Sequence, residues 1–395
     1  MMERDQLVRR YLNVDGFRRG AMRVLPRPVF DFTDGGAEDE VTLRRNEAAF
    51  HEPALLPRPL QGVAERDLSV DMFGTTLSMP VMIGPTGLSG MLWPDGELES
   101  HRAAAAAGTA YCMSHASTVP IEALPKTGHR WMQVFVYKDR GFTRSFVDRA
   151  AQAGFDALVL TIDNQTLGQR ERDTRNGFSI PPKLLLKVMA AMAIRPNWLW
   201  RMRERRDFTF ANYAAIEGGA DRNTLAGRMN ALLDPSMSWA DVAMLRKQWA
   251  GPLILKGILH PADIQIALDH GVDGVIVSNH GGRQLDRAAS GLDALPAVAA
   301  AAQGRMKVLL DGGIRRGVDV LIAKAMGADA CLIARPQLWG LAVGGEAGVA
   351  AVLEILRRDL DRALCLCGVT RFADADASLL APGVVPSTRP KAIAA

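Results

Sequence analysis

From Pro252-Leu-Ile-Leu-Lys256 through Gly274-Val-Ile-Val-Ser278 and Lys307-Val-Leu-Leu-Asp311 to Ala330-Cys-Leu-Ile-Ala334, one pattern repeats: a short apolar run, then a longer helical stretch. None of these runs alternates apolar with polar residues, so each reads as a strand covered on both faces. The pattern also occurs upstream, in Pro80-Val-Met-Ile-Gly84, Thr109-Ala-Tyr-Cys-Met113, Trp131-Met-Gln-Val-Phe135 and Ala157-Leu-Val-Leu-Thr161. Helical segments fall between the runs, among them 97–107, 142–153, 238–249, 261–270 and 317–326. Ser238, with Asp241 in the following turn, is a helix-start signal. Repeated βα units predict a parallel sheet, and eight of them predict closure into a (β/α)8 barrel of the α/β class. The competing doubly wound open sheet would carry a glycine-rich dinucleotide loop, and no GxGxxG occurs.

Two stretches stand outside the repeat. A single domain over 1–395 is expected, with the barrel at about 76–370. The first 75 residues are expected to cap its bottom or rim. Residues 178–237 form a long insertion after the fourth barrel strand, and loops of that length are functional or mobile as a rule.

Composition narrows the function. With 48% hydrophobic residues the chain can bury a large core. A net charge of +4, with no basic stripe interleaved with aromatics, argues against nucleic acid. Cys112, Cys331, Cys365 and Cys367 make no CxxC pair and no metal-ligand spacing, so no metal site is expected. Cys112 and Cys331 lie in apolar runs and read as core residues, which fits a reducing compartment. The first residues, Met-Met-Glu-Arg-Asp-Gln-Leu, lack the apolar region of a secretory signal. No uncharged apolar run reaches the roughly 18–20 residues of a bilayer-spanning helix.

In a barrel, the C-terminal ends of the strands face the active site. Here those ends carry Gly84-Pro-Thr-Gly87, Ser114-His115, Gln133 and Phe135, Thr161-Ile-Asp163 with Arg170 beyond, and Lys256. Ser278-Asn-His280-Gly-Gly-Arg283, Asp311-Gly-Gly-Ile-Arg315 and Ala334-Arg335 follow. The last two ends suit a phosphate, since glycine lets backbone approach closely and the arginines add charge; tight turns with solvated arginines are the plainer reading. Lys256 either pairs with a barrel carboxylate such as Asp163 or faces a cofactor that becomes anionic. His280 alone would read as a structural histidine. With Arg283 three residues on, it suits a base acting on an anionic substrate.

Ser278-Asn-His-Gly-Gly-Arg-Gln-Leu-Asp286 resembles the signature of the FMN-dependent α-hydroxy acid oxidase and dehydrogenase family. The resemblance covers roughly residues 20–370 and includes Gly35-Gly-Ala-Glu-Asp39, Lys256-Gly257, Asp311-Gly-Gly-Ile-Arg-Arg-Gly317 and Gly345-Glu-Ala-Gly348. The stretch 83–94 and Arg170-Glu-Arg-Asp173 are most similar to the mandelate dehydrogenase branch. The resemblance implies FMN as cofactor and a 2-hydroxy acid, a small molecule, as substrate. By it, Pro85, Thr86 and Gly87 would lie against the flavin, and Ser114, Gln133 and Thr161 would bond its ring. Lys256 would offset the charge of reduced flavin, Ser278 would contact the cofactor, and Asp311 would hold the ribityl chain. Gly313, Arg315, Ala334 and Arg335 would form the phosphate site. Arg170 and Arg283 would clamp the substrate carboxylate, and His280, oriented by Asp163, would take the proton.

Three departures bear on the substrate. Phe32 and Phe135 stand where the family has tyrosines, Ala116 stands where some glycolate oxidases have a tryptophan, and Ala334 replaces a glycine. Each missing hydroxyl removes a hydrogen bond worth about 1.5–3 kcal/mol, while the phenyl rings widen the apolar wall. A bulky or aromatic 2-hydroxy acid is therefore expected. Gly87 favours a dehydrogenase, since the family's oxidases tend to carry alanine there. Residues 181–210, with Trp198, Trp200 and clustered arginines, suit a segment lying on an anionic bilayer, the alternative being a lid or subunit contact. The resemblance supports a cytoplasmic enzyme peripheral to the membrane, a quinone acceptor and a tetramer. Rival readings are a peroxide-forming oxidase, a lactate dehydrogenase, an FMN-barrel isomerase and a flavoprotein that has lost catalysis.

Overall fold

The computed structural model describes residues 2–177, 186–203, 210–213 and 233–383. Ten strands are present among them. β1 (Val70–Met72) and β2 (Thr75–Leu77) form an antiparallel hairpin. β3 (Val81–Ile83), β4 (Ala110–Ser114), β5 (His129–Val134) and β6 (Ala157–Thr161) lead into the barrel. β7 (Leu253–Ile258), β8 (Gly274–Val277), β9 (Lys307–Asp311) and β10 (Ala330–Ile333) complete it, all parallel, with β10 pairing back onto β3. Every apolar run picked from the sequence becomes a barrel strand. Ser238 and Asp241 form a capping box at the start of helix Trp239–Gln248.

Alternation along each strand sorts the side chains into two sets. Met82, Cys112, Trp131, Val159, Ile254, Ile276, Leu309 and Leu332 form one buried cluster, the barrel interior. Their strand neighbours Val81, Tyr111, Met132, Leu158, Leu255, Val275, Leu310 and Cys331 belong to the larger cluster beneath the surrounding helices. Because the side-chain period is two, the next inward position above the interior layer is also fixed. On six strands it is Ser114, Gln133, Thr161, Lys256, Ser278 and Asp311. A run that is apolar on both faces thus ends by placing one polar group at the barrel mouth.

The ends of the barrel are closed by different parts of the first 80 residues. The β1–β2 hairpin seals the bottom: Met72 and Leu77 join the interior cluster, and the Phe73 ring packs on Trp131 at 5.8 Å. Helices Arg27–Asp34 and Val41–Ala48 lie instead at the rim around the mouth, where the carbonyls of Phe32, Asp34 and Gly35 receive guanidinium hydrogen bonds. The long helix Arg335–Cys367 is long and apolar enough to cross a bilayer, but 72% of its most apolar window is buried inside the protein. It packs against helices Val14–Val24 and Gly96–Ala106, so it is a core helix. Its helical angles break at Gly344 and Gly345.

Ile276 is fully buried in the interior layer. Ile276→Ala should cost about 2–5 kcal/mol of unfolding free energy, because the closed sheet around it cannot collapse into the space. Urea titration checks this, and a loss below about 1 kcal/mol would mean the layer relaxes.

Candidate active site

A cavity of about 480 Å³ opens at the C-terminal mouth of the barrel. The inward polar positions Ser114, Gln133, Thr161, Lys256 and Asp311 line it, as do Pro85, Thr86, Gly87, Ala116, Phe32 and Phe135. Arg170, His280, Arg283, Gly313, Arg315, Ala334 and Arg335 line it as well. The fold therefore gathers almost every residue singled out from the sequence.

Two placements differ from the sequence expectation. Lys256 pairs with Asp311 at 2.7 Å, not with Asp163. Ser278 lies beneath the cavity: it accepts from Lys256 Nζ at 3.0 Å and donates to Asp311 Oδ2 at 2.8 Å. Alternation explains both, since Lys256, Ser278 and Asp311 are inward neighbours on three adjacent strands. Burial opposes the charge on both partners, yet the pair wins: Lys256 is held above its ordinary pKa and Asp311 below its own. Two opposite charges a hydrogen bond apart in a dry site keep each other ionised.

His280 sits just past β8 in the left-handed region, φ 59°, unusual for a residue with a Cβ. That turn brings its Nδ1 within 2.8 Å of Asp163 Oδ1, while its backbone N–H donates to Ser278. The proton is assigned to Nδ1 by this carboxylate, which leaves Nε2 with its lone pair on a ring that lines the cavity. Gly257, φ 115°, makes room for Asp163: a Cβ there would lie 2.8 Å from the Asp163 carboxyl carbon.

The arginines dominate the electrostatics. Arg283 Nη1 donates to the carbonyls of Phe32 and Gly35, both at 2.8 Å, and its guanidinium stacks 5.2 Å from the Phe32 ring centre. Arg335 donates to the carbonyls of Asp34 and Gly35. The Arg170 Nε is buried without a partner among the described residues. Among the described residues no carboxylate lies within 4 Å of any of these three guanidinium groups. Burial accordingly lowers all three pKa values, Arg335 to about 10. Arg315 differs, being paired with Glu47 at 2.7 Å. Half-buried cations without anions are a site for anionic ligands.

FMN passes this test. Its phosphate would meet Arg335, Arg315 and the turn at Gly313, which no other residue could make: φ is 84° and a Cβ would lie 2.0 Å from the Asn46 carbonyl oxygen. The ring would lie along the mouth beside Lys256, Gln133 and Thr161, leaving Arg170 and Arg283 for a second anion.

Glu97 escapes the sequence reading, and His115 reads there only as a strand-end residue without a role. Glu97, fully buried, accepts from the backbone of Ser89 at 3.1 Å and of Thr118 at 2.9 Å, and from the Thr118 hydroxyl at 2.7 Å. It thereby ties together the first two βα loops, where Gly87 faces Ala116 closely enough that a Cβ would sit 3.0 Å from Ala116 Cβ. In the sequence it is one acidic residue in a first helical turn. His115 bonds Gln133 Oε1 through Nδ1 at 2.8 Å and packs on Phe135 at 4.0 Å. Burial, with a smaller push from His280, lowers its pKa from 6.5 to about 4.

This histidine predicts a pH dependence. The unfolded chain protonates His115 near 6.5, the folded chain only near 4, so the unfolded state binds the extra proton between those values. Stability should fall as pH drops through that window, by up to about 1.4 kcal/mol per pH unit. His115→Asn should flatten the slope in urea titrations; equal slopes in both proteins would remove His115 as the cause.

The sequence pattern of the FMN-dependent dehydrogenase family matches residues 21–382. An L-lactate dehydrogenase of Ectopseudomonas mendocina (strain ymp) is 41% identical over 368 residues, covering 92% of this chain and 97% of the relative. The monotopic membrane protein (S)-mandelate dehydrogenase superposes with a TM-score of 0.90 at 37% identity, covering 93% of this chain and 98% of the other. A soluble mutant of the membrane-associated (S)-mandelate dehydrogenase from Pseudomonas putida gives 0.81 at 38% identity, covering 93% and 99%.

Proposed function

The chain belongs to the FMN-dependent dehydrogenase family, and on that premise we propose that it oxidises a bulky, mandelate-like (S)-2-hydroxy acid with His280 as the base. It is an FMN-dependent oxidoreductase acting on 2-hydroxy acids. The observation that carries the finer reading is the His280–Asp163 pair at 2.8 Å, set beside two half-buried arginines with no carboxylate in ion-pairing range among the described residues.

FMN, when bound, accepts the two electrons that leave the substrate α-carbon. Arg170 and the free edge of Arg283 hold the substrate carboxylate. Asp163 holds the His280 ring through Nδ1, so that Nε2 is turned to take a proton from the substrate. Lys256, fixed by Asp311 and Ser278, places a buried positive charge where negative charge accumulates. Phe32, Phe135 and Ala116 offer an apolar wall, and a phenyl group buried there gains a few kcal/mol at about 25 cal/mol per Å². The relatives named L-lactate dehydrogenases favour a second reading, in which lactate is the substrate.

The same reading places the enzyme on a membrane, passing electrons to a quinone-type acceptor. Of the 181–210 stretch, residues 181–185 and 204–209 lie outside the described residues. Helices Leu186–Ala193 and Pro196–Met202 turn Val188, Trp198 and Met202 inward, and the Trp198 indole donates to the Met91 carbonyl at 3.0 Å. Met189, Ile194, Leu199 and Trp200 face outward, Ile194 and Trp200 each 66% exposed. Arginines beside an outward apolar face suit an interfacial anchor. A tetramer and a single domain over 1–395 complete the proposal.

His280→Ala should keep bound flavin but slow its anaerobic reduction by mandelate about 10²–10⁴-fold. Reduction at the wild-type rate would sink the assignment of the base. For the substrate, kcat/KM for mandelate should exceed that for lactate, and the reverse order decides for the second reading. Replacing Ile194 and Trp200 together by Glu should release the protein from anionic vesicles with dye-linked turnover retained. Unchanged cosedimentation would assign these helices to a lid or subunit contact instead.

A further inference from the structure

We propose that Asn164 makes this enzyme select a 2-hydroxy acid whose side chain carries its own neutral hydrogen-bonding group, a ring hydroxyl being the simplest. The inference rests on the substrate reading above and narrows it. Asn164 follows Asp163 in the turn after β6 and lines the cavity with Leu167, Phe135 and Phe210. It is 3% exposed, and its Oδ1 has no hydrogen-bond partner among the described residues. The turn that carries it is braced. Gln284 Nε2 donates to the carbonyls of Asp163 at 2.8 Å and Thr166 at 2.9 Å, and Gln284 Oε1 accepts from the Gly168 N–H at 3.1 Å. The amide is therefore held in the wall and does not turn out to water.

A buried amide oxygen without a donor is destabilising, and an aliphatic residue would fill the same wall without that cost. The chemistry of the reacting carbon gives Asn164 no task, since His280 serves the proton and Arg170 with Arg283 serve the carboxylate. What the amide suits is a donor on the far part of the substrate, among otherwise apolar neighbours. An amide also accepts or donates as required, which fits a hydroxyl. A second carboxylate is disfavoured, because Asp173 lines the same cavity and is itself pushed towards its neutral form by burial. A site built to bond a hydroxyl rejects the analogue lacking it far more strongly than an apolar pocket rejects an added one.

The test compares mandelate with its 3-hydroxy and 4-hydroxy derivatives in anaerobic flavin reduction by the holoenzyme. One hydroxylated acid should exceed mandelate in kcat/KM by about tenfold or more. In Asn164→Val the ratio should fall to within about twofold. Calorimetric affinities of the oxidised holoenzyme for benzoylformate and its ring-hydroxylated forms should show the same preference and the same loss. Hydroxylated acids no better than mandelate in the wild type overturn the proposal, as does a preference that survives in Asn164→Val. The wild-type ratio needs no variant, so misfolding of Asn164→Val does not shelter the idea. If mandelate reduces the flavin without any hydroxyl preference, Asn164 fails while the substrate reading stands. If none of the three acids reduces it and lactate does, the substrate reading fails and takes this inference with it.

Discussion

Three half-buried guanidinium groups, those of Arg170, Arg283 and Arg335, lie within one cavity and have no carboxylate in ion-pairing range among the described residues. Leaving a charge in low dielectric without a counter-charge is among the most costly arrangements a protein can hold. The fold answers in part with carbonyl groups at the C-terminal end of helix Arg27–Asp34, which would otherwise lack helical partners. That helix is clamped in turn, Asp34 pairing with Arg18 at 2.7 Å and with Arg172 at 3.3 Å. The rim is thus arranged around positive charge that no carboxylate among the described residues neutralises. An anionic cofactor and an anionic substrate supply what is missing.

The barrel makes the opposite use of charge at its centre. Lys256, Ser278 and Asp311 form a closed set in which donors and acceptors match within the chain. Below them the interior is apolar, and above them the mouth is open. This divides labour by depth: the interior layer stabilises, the bridge keeps a fixed cation at the floor of the cavity, and the loops line its entrance. Glu97 extends the scheme outward by fixing the spacing of two loops through hydrogen bonds alone.

Why some of this was legible in the sequence follows from locality. The eight strands could be read because each is a short, doubly buried run, and Ala157–Thr161 and Lys307–Asp311 have the bounds their residues suggest. The mouth residues could be read because strand ends are where a barrel keeps its chemistry. Partners distant in sequence could not. Nothing near Lys256 says that its carboxylate is Asp311 and not Asp163, since that choice depends on which strands are neighbours. The β1–β2 hairpin is only three residues per strand, too short to show a period. Asn164 and His115 look like ordinary turn and strand-end residues until burial reveals which of their atoms lack partners.

The hydrogen bonds from Arg283 to Phe32 and from Arg335 to Asp34 join residues 251 and 301 positions apart. Ribosomes make the rim helix first and its arginine partners near the end. A nascent chain therefore carries those carbonyl groups without their ligands until Arg335 has been added, and the anion site has no existence before that moment. Loops of this span close late, because their entropy is lost before any contact repays it. Completion of the rim therefore waits on residue 335: a chain stopped before it lacks the guanidinium that ties the Asp34 and Gly35 carbonyls to the barrel mouth.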